Sequence, residues 1–314
     1  MLAVTSRPTP SSLPLHPPII TTNLKPTSFI VIILVMPTIK TLLAHAASFL
    51  TSHSDSPLLD AEVLLGFVLN KPRTYLRAWC DNTLTDQQIS AFEALIEQRL
   101  QGIPIAYLTG TREFWSRDFT VTPDVLIPRP DTELLIELSL DRITKNQAVN
   151  LIDLGTGSGI IAVTMAAERP NALVIAVDAS LAALAVARLN ARQHQLTNIE
   201  FYQSDWFANV PKVLFDMAIS NPPYIGSDDE HLQQGDVRFE PRSALIANNQ
   251  GLSDIQIIAD KARGYLKPAG HLLIEHGYNQ APQVQAIFNA LAYDKVQSYL
   301  DLSGQPRATY GQKS

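Results

Sequence analysis

Cysteine is nearly absent from this sequence of 314 residues, and so are long apolar runs. The single cysteine, Cys80, excludes an intramolecular disulfide and fits a reducing compartment. Because there is no second cysteine and the histidines are scattered, no metal site is expected. The apolar run from Phe29 to Met36 is far too short to span a bilayer. The sequence therefore predicts no disulfide-rich scaffold, no metal centre and no membrane partner.

An excess of positive charge is also missing. The chain carries 24 Lys and Arg against 30 Asp and Glu, which gives a formal net charge of -6. A field of this sign does not attract nucleic acid to the whole surface, so we expect no direct nucleic-acid binding beyond any local basic patch. Apolar and charged residues make up 46% and 17%, as in ordinary globular proteins, and the length predicts one large domain with a smaller one.

Residues 1–36 contain no acidic residue and are rich in Pro, Ser and Thr. A signal peptide with a cleavage site at 44–46 and an organellar transit peptide are both open interpretations. We favour a third, in which Met36 is the natural start and residues 1–36 are a disordered or mis-called extension, because cleavage after Ala46 would divide a helix. The apolar residues on one face of that helix are Ile39, Leu42, Leu43, Ala46, Phe49 and Leu50.

Residues 37–108 have helical periodicity. A second helix is predicted to begin at Ser56, with proline at its first turn, and another at Thr85, which with Gln88 has the pattern of a capping box. After this small all-α region, Phe119 and residues 125–127 are strand-like and are punctuated by prolines. Residues 109–133 are therefore predicted to form a hairpin connector.

From about residue 134 the pattern alternates between strand and helix. Predicted strands are 151–154, 173–177, 199–202, 215–220 and 271–275, and predicted helices are 160–167, 181–191 and 255–266. Residues 304–314 are expected to form a last, antiparallel strand. Such alternation predicts an α/β fold with a doubly wound, mainly parallel sheet. Ligands of these folds bind at the carboxyl ends of the strands, and the motifs described next lie there.

A glycine-rich turn follows the first of these strands and opens a helix. It reads Asp153-Leu154-Gly155-Thr156-Gly157-Ser158-Gly159. Glycines allow a ligand to approach the backbone closely, and the helix start offers free N–H groups to a carboxylate. A dinucleotide fingerprint would need glycine where Ile160 stands, so the spacing favours S-adenosylmethionine. The alternative interpretation is a plain strand-to-helix turn.

Polar residues also follow the next two strands. Asp178 ends the second strand, where a carboxylate accepts hydrogen bonds from both ribose hydroxyls of a cofactor. An aspartate there could simply cap the following helix, but next to the glycine turn the ligand interpretation is favoured. Asp205 and Trp206 follow the third strand. Asp205 could accept from an adenine amino group and Trp206 could cover the ring, although such a tryptophan is more often a core residue.

The sharpest motif, Asn221-Pro222-Pro223-Tyr224, stands directly after the fourth strand. An amide nitrogen is a poor nucleophile because its lone pair is delocalised, so a catalyst must hold it in line with the methyl donor and accept its hydrogens. The Asn221 side-chain oxygen and the Pro222 carbonyl can each accept one N–H. Two prolines stiffen the loop, and Tyr224 offers a flat face to a planar group. The motif predicts methyl transfer to a planar amide-type nitrogen, by positioning and without a strong base.

These motifs resemble the HemK family, the release-factor glutamine methyltransferases, from about Met36 to about Gly311. The similar segments are residues 102–110, 113–115, 126–133, the glycine turn, 221–225 and 231–241. The last of them looks especially like the bacterial release-factor enzymes. Residues 1–35 have no counterpart in the family pattern, and the carboxyl end from Gly304 matches it loosely.

The resemblance implies a class I S-adenosylmethionine-dependent methyltransferase. Its substrate would be the Gly-Gly-Gln glutamine of class 1 peptide-chain release factors, methylated on the side-chain nitrogen, N5. The cofactor site would take Gly155 to Gly159, Asp178, Trp206 and Asn221. The glutamine would lie against Asn221, Pro222, Pro223 and Tyr224.

The resemblance also implies a division of the chain. Residues 37–108 would be a helical substrate-binding domain that helps to hold the release factor, and residues 134–314 the methyltransferase domain. Family members act in the cytoplasm, or in organelles in eukaryotes, and we expect a cytoplasmic monomer.

Other interpretations stay open. An amino-methyltransferase of adenine N6 or guanine N2 uses a similar loop, but such enzymes usually need a basic surface. A ribosomal-protein glutamine methyltransferase and a regulator that binds the cofactor without catalysis are further alternatives. Arg129 and Glu133 either line a substrate channel or tie the domains together. For His276 the structural role is favoured over that of a base.

Overall fold

The computed structural model describes residues 37–314, and the interpretations of residues 1–36 lie outside the part of the chain that it describes. The first described region is helical. Its helices are α1 (Ile39–Leu50), α2 (Pro57–Leu69), α3 (Arg73–Ala78), α4 (Asp86–Leu100) and α5 (Ile105–Thr109). Within residues 37–314, no helix is both long and apolar enough to cross a bilayer.

Local sequence explains where these helices begin. The predicted capping box of α4 is confirmed, because the Thr85 side chain accepts from the Gln88 N–H while the Gln88 side chain accepts from the Thr85 N–H. The start of α2 at Pro57 agrees with the prediction, but Ser56 makes no capping bond. Its hydroxyl instead donates to a carboxylate oxygen of Asp60 over 3.4 Å.

The apolar faces of α1, α2 and α4 pack into one core. Buried members include Ile39, Leu50, Leu64, Leu65 and Phe92. Phe49 was predicted to lie on the same apolar face of α1, yet 38% of its surface is exposed, because it lines an open groove between α1 and α4 beside Phe92.

A β-hairpin follows the helical region, as predicted. Its strands are β1 (Thr111–Phe114) and β2 (Arg117–Thr120), joined by a turn with left-handed backbone at Trp115 and Ser116. The expectation of strand structure at 125–127 was wrong. Both Val125 and Ile127 are buried in an irregular loop, where the backbone N–H groups of Val125 and Ile127 bond to a turn carbonyl and to the Glu240 carboxylate instead of a strand.

The remaining chain builds a seven-stranded sheet flanked by helices. Strands are β3 (Asn150–Leu154), β4 (Leu173–Asp178), β5 (Ile199–Gln203), β6 (Phe215–Ser220), β7 (Leu266–Glu275), β8 (Tyr293–Leu300) and β9 (Pro306–Lys313). Helices are α6 (Glu133–Arg142), α7 (Ile160–Glu168), α8 (Leu181–Gln193), α9 (Asn248–Gly251), α10 (Ser253–Tyr265) and α11 (Ala281–Ala290). Short 3-10 helices span Pro130–Thr132, Glu230–Gln233, Gly235–Phe239 and Arg242–Ala244.

The strand order is β5-β4-β3-β6-β7-β9-β8. The five strands β5, β4, β3, β6 and β7 run parallel to one another. Strand β9 is antiparallel to both of its neighbours, β7 and β8. The predicted doubly wound, mainly parallel sheet and its last antiparallel strand are therefore confirmed. The order reverses at β3, which lies between β4 and β6, so a crevice opens beyond the carboxyl ends of these three strands.

Central strands read as continuous apolar runs because both faces of the sheet are covered. Along β3, Leu151 packs in the core cluster on one face of the sheet, while Ile152 and Leu154 pack in the cluster on the other. Helices α6 and α7 contribute to the first cluster, and α10 and α11 to the second. This burial fixes the register of the strands that carry the loops of the crevice.

Ion pairing links the helical region to the larger sheet region. The Arg99 guanidinium, on α4, donates to Asp60 over 2.8 Å and to Asp236 over 3.2 Å. Asp60 lies on α2, whereas Asp236 belongs to the 3-10 helix Gly235–Phe239. The Tyr107 hydroxyl also donates to the Val125 carbonyl over 2.7 Å. The bond to Asp236 holds the helices against the segment that follows the Asn-Pro-Pro-Tyr loop, and the bond to Val125 holds them against the connector.

Candidate active site

A cavity of about 320 Å³ lies at the carboxyl ends of β3, β4 and β6. The glycine turn, the end of β4, the loop after β5 and the loop after β6 all reach it. Predicted site residues in its wall are Gly155, Thr156, Gly157, Ser158, Asp178, Asp205, Trp206, Asn221 and Pro223. The crevice at the reversal of strand order thus collects the residues that the sequence motifs singled out.

Backbone geometry explains the glycines of the turn. The N–H groups of Gly155 and Thr156 both donate to the Val177 carbonyl over 2.9 Å, which ties the turn to β4. Gly155 has a φ of +73°, and a Cβ atom there would lie 3.3 Å from the Trp206 ring. Gly159 is not part of the cavity wall. It begins α7 with a φ of +86°, and a Cβ atom there would lie 3.1 Å from the Cβ atom of Ala187.

Asp153, at the start of the motif, holds the turn from inside. One carboxylate oxygen accepts from the Thr156 hydroxyl over 2.6 Å and from the Ala162 N–H over 3.1 Å. Its other oxygen is buried and has no hydrogen-bond partner within residues 37–314. Burial raises the pKa of Asp153 to about 7, which the bonds from Thr156 and Ala162 partly offset.

Asp178 is held in a fixed orientation at the end of β4. Its two carboxylate oxygens accept from the N–H groups of Gly157, over 2.9 Å, and Ser180, over 2.8 Å. Burial raises the pKa of Asp178, and the two backbone bonds counter this effect. Each oxygen keeps a further lone pair in a group that lines the cavity. This arrangement suits the recognition of vicinal hydroxyls.

The far end of the cavity is acidic and aromatic. Trp206 is half-buried with a φ of +47°, and Asp205 is exposed beside it. Asp254, at the start of α10, also lines the cavity, and its pKa is raised by burial and by the charge of Asp205. An aromatic face and two carboxylates suit an amino-bearing heteroaromatic ring.

A second cavity, of about 160 Å³, adjoins the Asn-Pro-Pro-Tyr loop. Pro222 and Tyr224 line this second cavity, whereas Pro223 faces the first. The residues common to the two walls are Leu126, Arg129, Asn221 and Ala244. Asn221 therefore stands where the two cavities meet.

The Asn221 amide is fixed from behind. Its Nδ2 donates to the Thr132 hydroxyl oxygen over 3.1 Å, and Thr132 is fully buried. With the nitrogen engaged, the Oδ1 atom is the group that remains to accept a hydrogen bond. The sequence motif predicted an acceptor at this position, and Thr132 is the partner that it did not reveal.

Tyr224 is anchored through its hydroxyl, which donates to Glu275 over 3.3 Å. Glu275 ends β7 and is almost fully buried, and burial raises its pKa to about 7. Burial, together with the nearby Glu275 charge, raises the pKa of Tyr224, so the phenol stays neutral. Tyr224 thus presents an aromatic ring without charge to the second cavity.

Arg129 and Glu133, which the sequence assigned either to a substrate channel or to a tie between the domains, make different contacts. Arg129 pairs with the buried carboxylate of Glu240 and also lines both cavities. Glu133 accepts from the Trp115 N–H over 2.9 Å and so ties α6 to the hairpin. His276 is fully buried, with Nε2 2.8 Å from the Thr309 hydroxyl, which agrees with a structural role.

Comparison with known proteins bears on the identity of this site. Residues 41–110 match the PrmC N-terminal domain family, and residues 131–237 match the methyltransferase small domain family. The chain is 47% identical to the release factor glutamine methyltransferase of Salmonella typhimurium over 267 residues, which is 85% of this chain and 96% of that protein. It is 43% identical to the protein of the same name from Coxiella burnetii, over 87% of this chain and 98% of that protein.

The chain belongs to the release factor glutamine methyltransferase family. It is a methyltransferase enzyme, and S-adenosylmethionine is its cofactor. A solved methyltransferase from Pyrococcus furiosus is similar in fold, with a TM-score of 0.50, 17% identity, and coverage of 72% of this chain and 99% of that chain. The class I methyltransferase fold predicted from the sequence is confirmed.

The first cavity fits the cofactor of this family. Its wall combines the Gly155 backbone, where a Cβ atom would lie in tight contact 3.3 Å from the Trp206 ring, with the oriented carboxylate of Asp178. Within the described part of the methyltransferase, no cluster of His, Cys, Asp or Glu could hold a metal ion. Besides Thr132, the residues to which sequence reasoning assigned no role are Asp254, Glu240 and Glu275, which lie far along the chain from the residues that they contact.

Proposed function

We propose that this methyltransferase modifies the side-chain amide nitrogen, N5, of the glutamine in the Gly-Gly-Gln motif of class 1 peptide-chain release factors. One observation carries the proposal. Asn221 stands at the wall common to both cavities, with Nδ2 bound to Thr132 and Oδ1 left to accept. The names of the relatives, which describe release factor glutamine methyltransferases, supply the substrate class.

The second cavity suits an uncharged, planar side chain. Pro222 and Tyr224 provide flat apolar walls, and Leu126 and Val237 close the other sides. A primary amide bound there would donate one N–H to Asn221 Oδ1 and the other to the Pro222 carbonyl. With both hydrogens held, the nitrogen lone pair points out of the amide plane toward the first cavity.

Catalysis then depends on the placement of the amide nitrogen. When bound, S-adenosylmethionine would supply the methyl group from its sulfonium, which would leave as a neutral thioether, and the methylated amide nitrogen would release its surplus proton to solvent. The chain's own residues orient the nitrogen and accept its hydrogens, as polar groups that are already in position. No side chain is assigned as a strong base.

The helical region is proposed to hold the release factor. Large apolar side chains project from α2 and from the end of α3, where Leu58, Phe67 and Trp79 are 52%, 50% and 55% exposed. These exposed apolar side chains are the proposed contacts with the release factor. The division at residues 37–108 and 134–314, a monomeric state, a cytoplasmic location and the lack of direct nucleic-acid binding remain predictions.

The test is to incubate the purified protein with S-adenosylmethionine and an unmodified release factor, and to map the products by peptide mass spectrometry. We expect one added methyl on the Gly-Gly-Gln glutamine, absent with Asn221→Ala. The cofactor affinity of that variant, measured by calorimetry, should change little. Methyl transfer to a ribosomal protein or to nucleic acid in a parallel lysate assay, without transfer to the release factor, would overturn the substrate proposal.

A further inference from the structure

Arg129 is the positively charged side chain of the two cavity walls. In the part of the chain that the structure describes, no other Lys or Arg lines either cavity. The first wall is otherwise acidic, with Asp124, Asp178, Asp205 and Asp254. We propose that Arg129 binds the carboxylate in the methionine part of S-adenosylmethionine, and that Glu240 is a positioning residue that orients the Arg129 guanidinium.

Glu240 holds Arg129 from behind the wall. The Glu240 side chain is 0% exposed, and its Oε1 atom accepts from Arg129 Nη2. Its Oε2 atom accepts from the Ile127 N–H over 3.1 Å. A guanidinium can only donate, so the direction of the bond to Arg129 is fixed by chemistry. The connector backbone and the guanidinium are thus oriented by one buried carboxylate.

Most of the Arg129 guanidinium remains unused. Within residues 37–314, Nη2 donates to Glu240, whereas Nη1 and Nε make no hydrogen bond. The arginine Arg169 differs, because all three of its nitrogens donate to carbonyl oxygens, those of Ile143, Glu168 and Leu140. Arg129 therefore has the free donors of a ligand-binding arginine, whereas Arg169 has those of a structural one. The fork of a guanidinium matches the two oxygens of a carboxylate.

The glycine turn has few donors left for a carboxylate. The N–H groups of residues 155–157, 159 and 162 already donate to oxygen atoms of the protein. The sequence pattern assigned a carboxylate to this helix start, which still contributes its dipole. A carboxylate bound in a wall with four acidic residues also needs a counter-charge, since like charges repel. Arg129 provides both the missing donors and the charge.

The position of Arg129 agrees with the order of groups in the cofactor. Sulfur joins the adenosyl part to the methionine part, so the two parts extend from the sulfonium in different directions. Trp206 and Asp178 provide the wall for the adenosyl part. Arg129 belongs instead to the Asn221 end, because its carbonyl accepts from the Thr132 N–H over 3.1 Å and Thr132 contacts Asn221. With the methyl group near Asn221, the methionine part lies at this end.

The test compares two ligands that differ in this carboxylate. Decarboxylated S-adenosylmethionine keeps the adenosyl group, the sulfonium and the amine. In the full chain, calorimetry should show that Arg129→Met raises the Kd for S-adenosylmethionine by about tenfold or more, because the lost bonds are charge-assisted. The Kd for the decarboxylated ligand should change by less than about threefold.

Further variants control for folding and for orientation. Arg129→Met leaves the buried Glu240 carboxylate without its cation, so the measurement is repeated in a double variant that also carries Glu240→Gln. Glu240→Gln alone should reduce the preference for the ligand with the carboxylate, since the guanidinium loses its anchor. The matched control is Arg117→Met. Arg117 pairs with Glu168 over 2.8 Å and lies outside both walls, so both Kd values should stay unchanged.

Three outcomes would overturn the assignment. An equal rise of Kd for the two ligands would give Arg129 a structural role, and unchanged Kd values would remove it from the cofactor site. A loss confined to KM for the release factor would assign Arg129 to the second cavity. The calorimetry needs no methyl acceptor, so it decides the role of Arg129 whether or not the release factor is the substrate.

Discussion

Gly251 lies directly against the backbone carbonyl of Tyr224. A Cβ atom at position 251 would overlap with the Tyr224 carbonyl oxygen and would lie 2.7 Å from Gln280 Nε2. That carbonyl accepts from Gln280 over 2.9 Å, and the same amide nitrogen donates to Gln250 over 3.0 Å. The loop is therefore seated on a glycine with a φ of +84°, which an L side chain rarely adopts.

Gly251→Ala should consequently disturb both folding and catalysis. The new methyl group must push Tyr224 or Gln280 away, which would move the loop out of its productive position. We expect kcat to fall by about tenfold or more, since a misplaced reacting group readily costs this much. Gly264→Ala is the control, because Gly264 lies in α10 with nothing within 4 Å of the added atom. It should keep full turnover and gain about 0.5–1 kcal/mol of stability in urea unfolding.

Asp178→Asn should weaken cofactor binding. Both carboxylate oxygens accept from backbone N–H groups, so an amide would place its own N–H against one of these donors. We expect the dissociation constant for S-adenosylmethionine, measured by calorimetry, to rise by about tenfold or more, as for a lost bond of ~1.4 kcal/mol. Glu200→Gln, at an exposed residue of β5, is the control. Equal affinity in the two variants would remove Asp178 from the cofactor site.

Glu275 should make the stability depend on pH. Its pKa is raised from 4.5 to about 7, so the folded protein retains a proton in this window that the unfolded chain releases. The contribution of this group to the free energy of unfolding therefore falls as pH rises from about 4.5 to about 7. Glu275→Gln cannot titrate. Relative to the original protein, it should be more stable at about pH 8 than at about pH 5 in urea unfolding. A difference that is the same at both values would contradict this assignment.

Arg99 should matter more for stability than the partner that it contacts at the surface. Arg99→Met would leave the buried carboxylate of Asp60 without its cation, which typically costs about 3–5 kcal/mol. Asp236→Asn changes a residue whose side chain is 42% exposed and should cost at most about 1 kcal/mol. Urea unfolding of both variants measures the difference. Similar losses of unfolding free energy in the two variants would mean that the Arg99–Asp236 bond between the regions provides the stabilisation, and not the Arg99–Asp60 pair within the helical region.

Strong periodicity and local motifs were enough to predict much of the fold. The capping box at Thr85, the apolar strand at 215–220 and the glycine turn each depend on residues close together in sequence. Helix α11 and strand β8 were not predicted, because only three residues of α11, and one of β8, are buried and their patterns are weak. The loop at 125–127 has a strand-like apolar sequence because its side chains are buried. Burial requires apolar residues in a loop just as it does in a strand.

The residues of the candidate site also fall into those that local sequence predicts and those that it does not. Asn221 and the glycine turn are recognisable because the motif itself contains the chemistry. Thr132 and Glu275 are not, since one lies 89 residues before Asn221 and the other 51 residues after Tyr224. Their contacts with the loop depend on where α6 and β7 pack, which no local pattern encodes. The raised pKa of Glu275 and the hydrogen bonds of both residues follow only from that packing.

The common wall of the two cavities has a consequence for inhibitor design. A single molecule that joined an adenosyl group to a planar amide would occupy both cavities at once, passing Asn221 and Arg129. Linking two ligands makes the second binding event intramolecular, with an effective concentration in the millimolar range for a short linker. Such a conjugate would compete with cofactor and protein substrate together, and its selectivity would come from the pairing of the two cavities, since many other methyltransferases share a cofactor site alone.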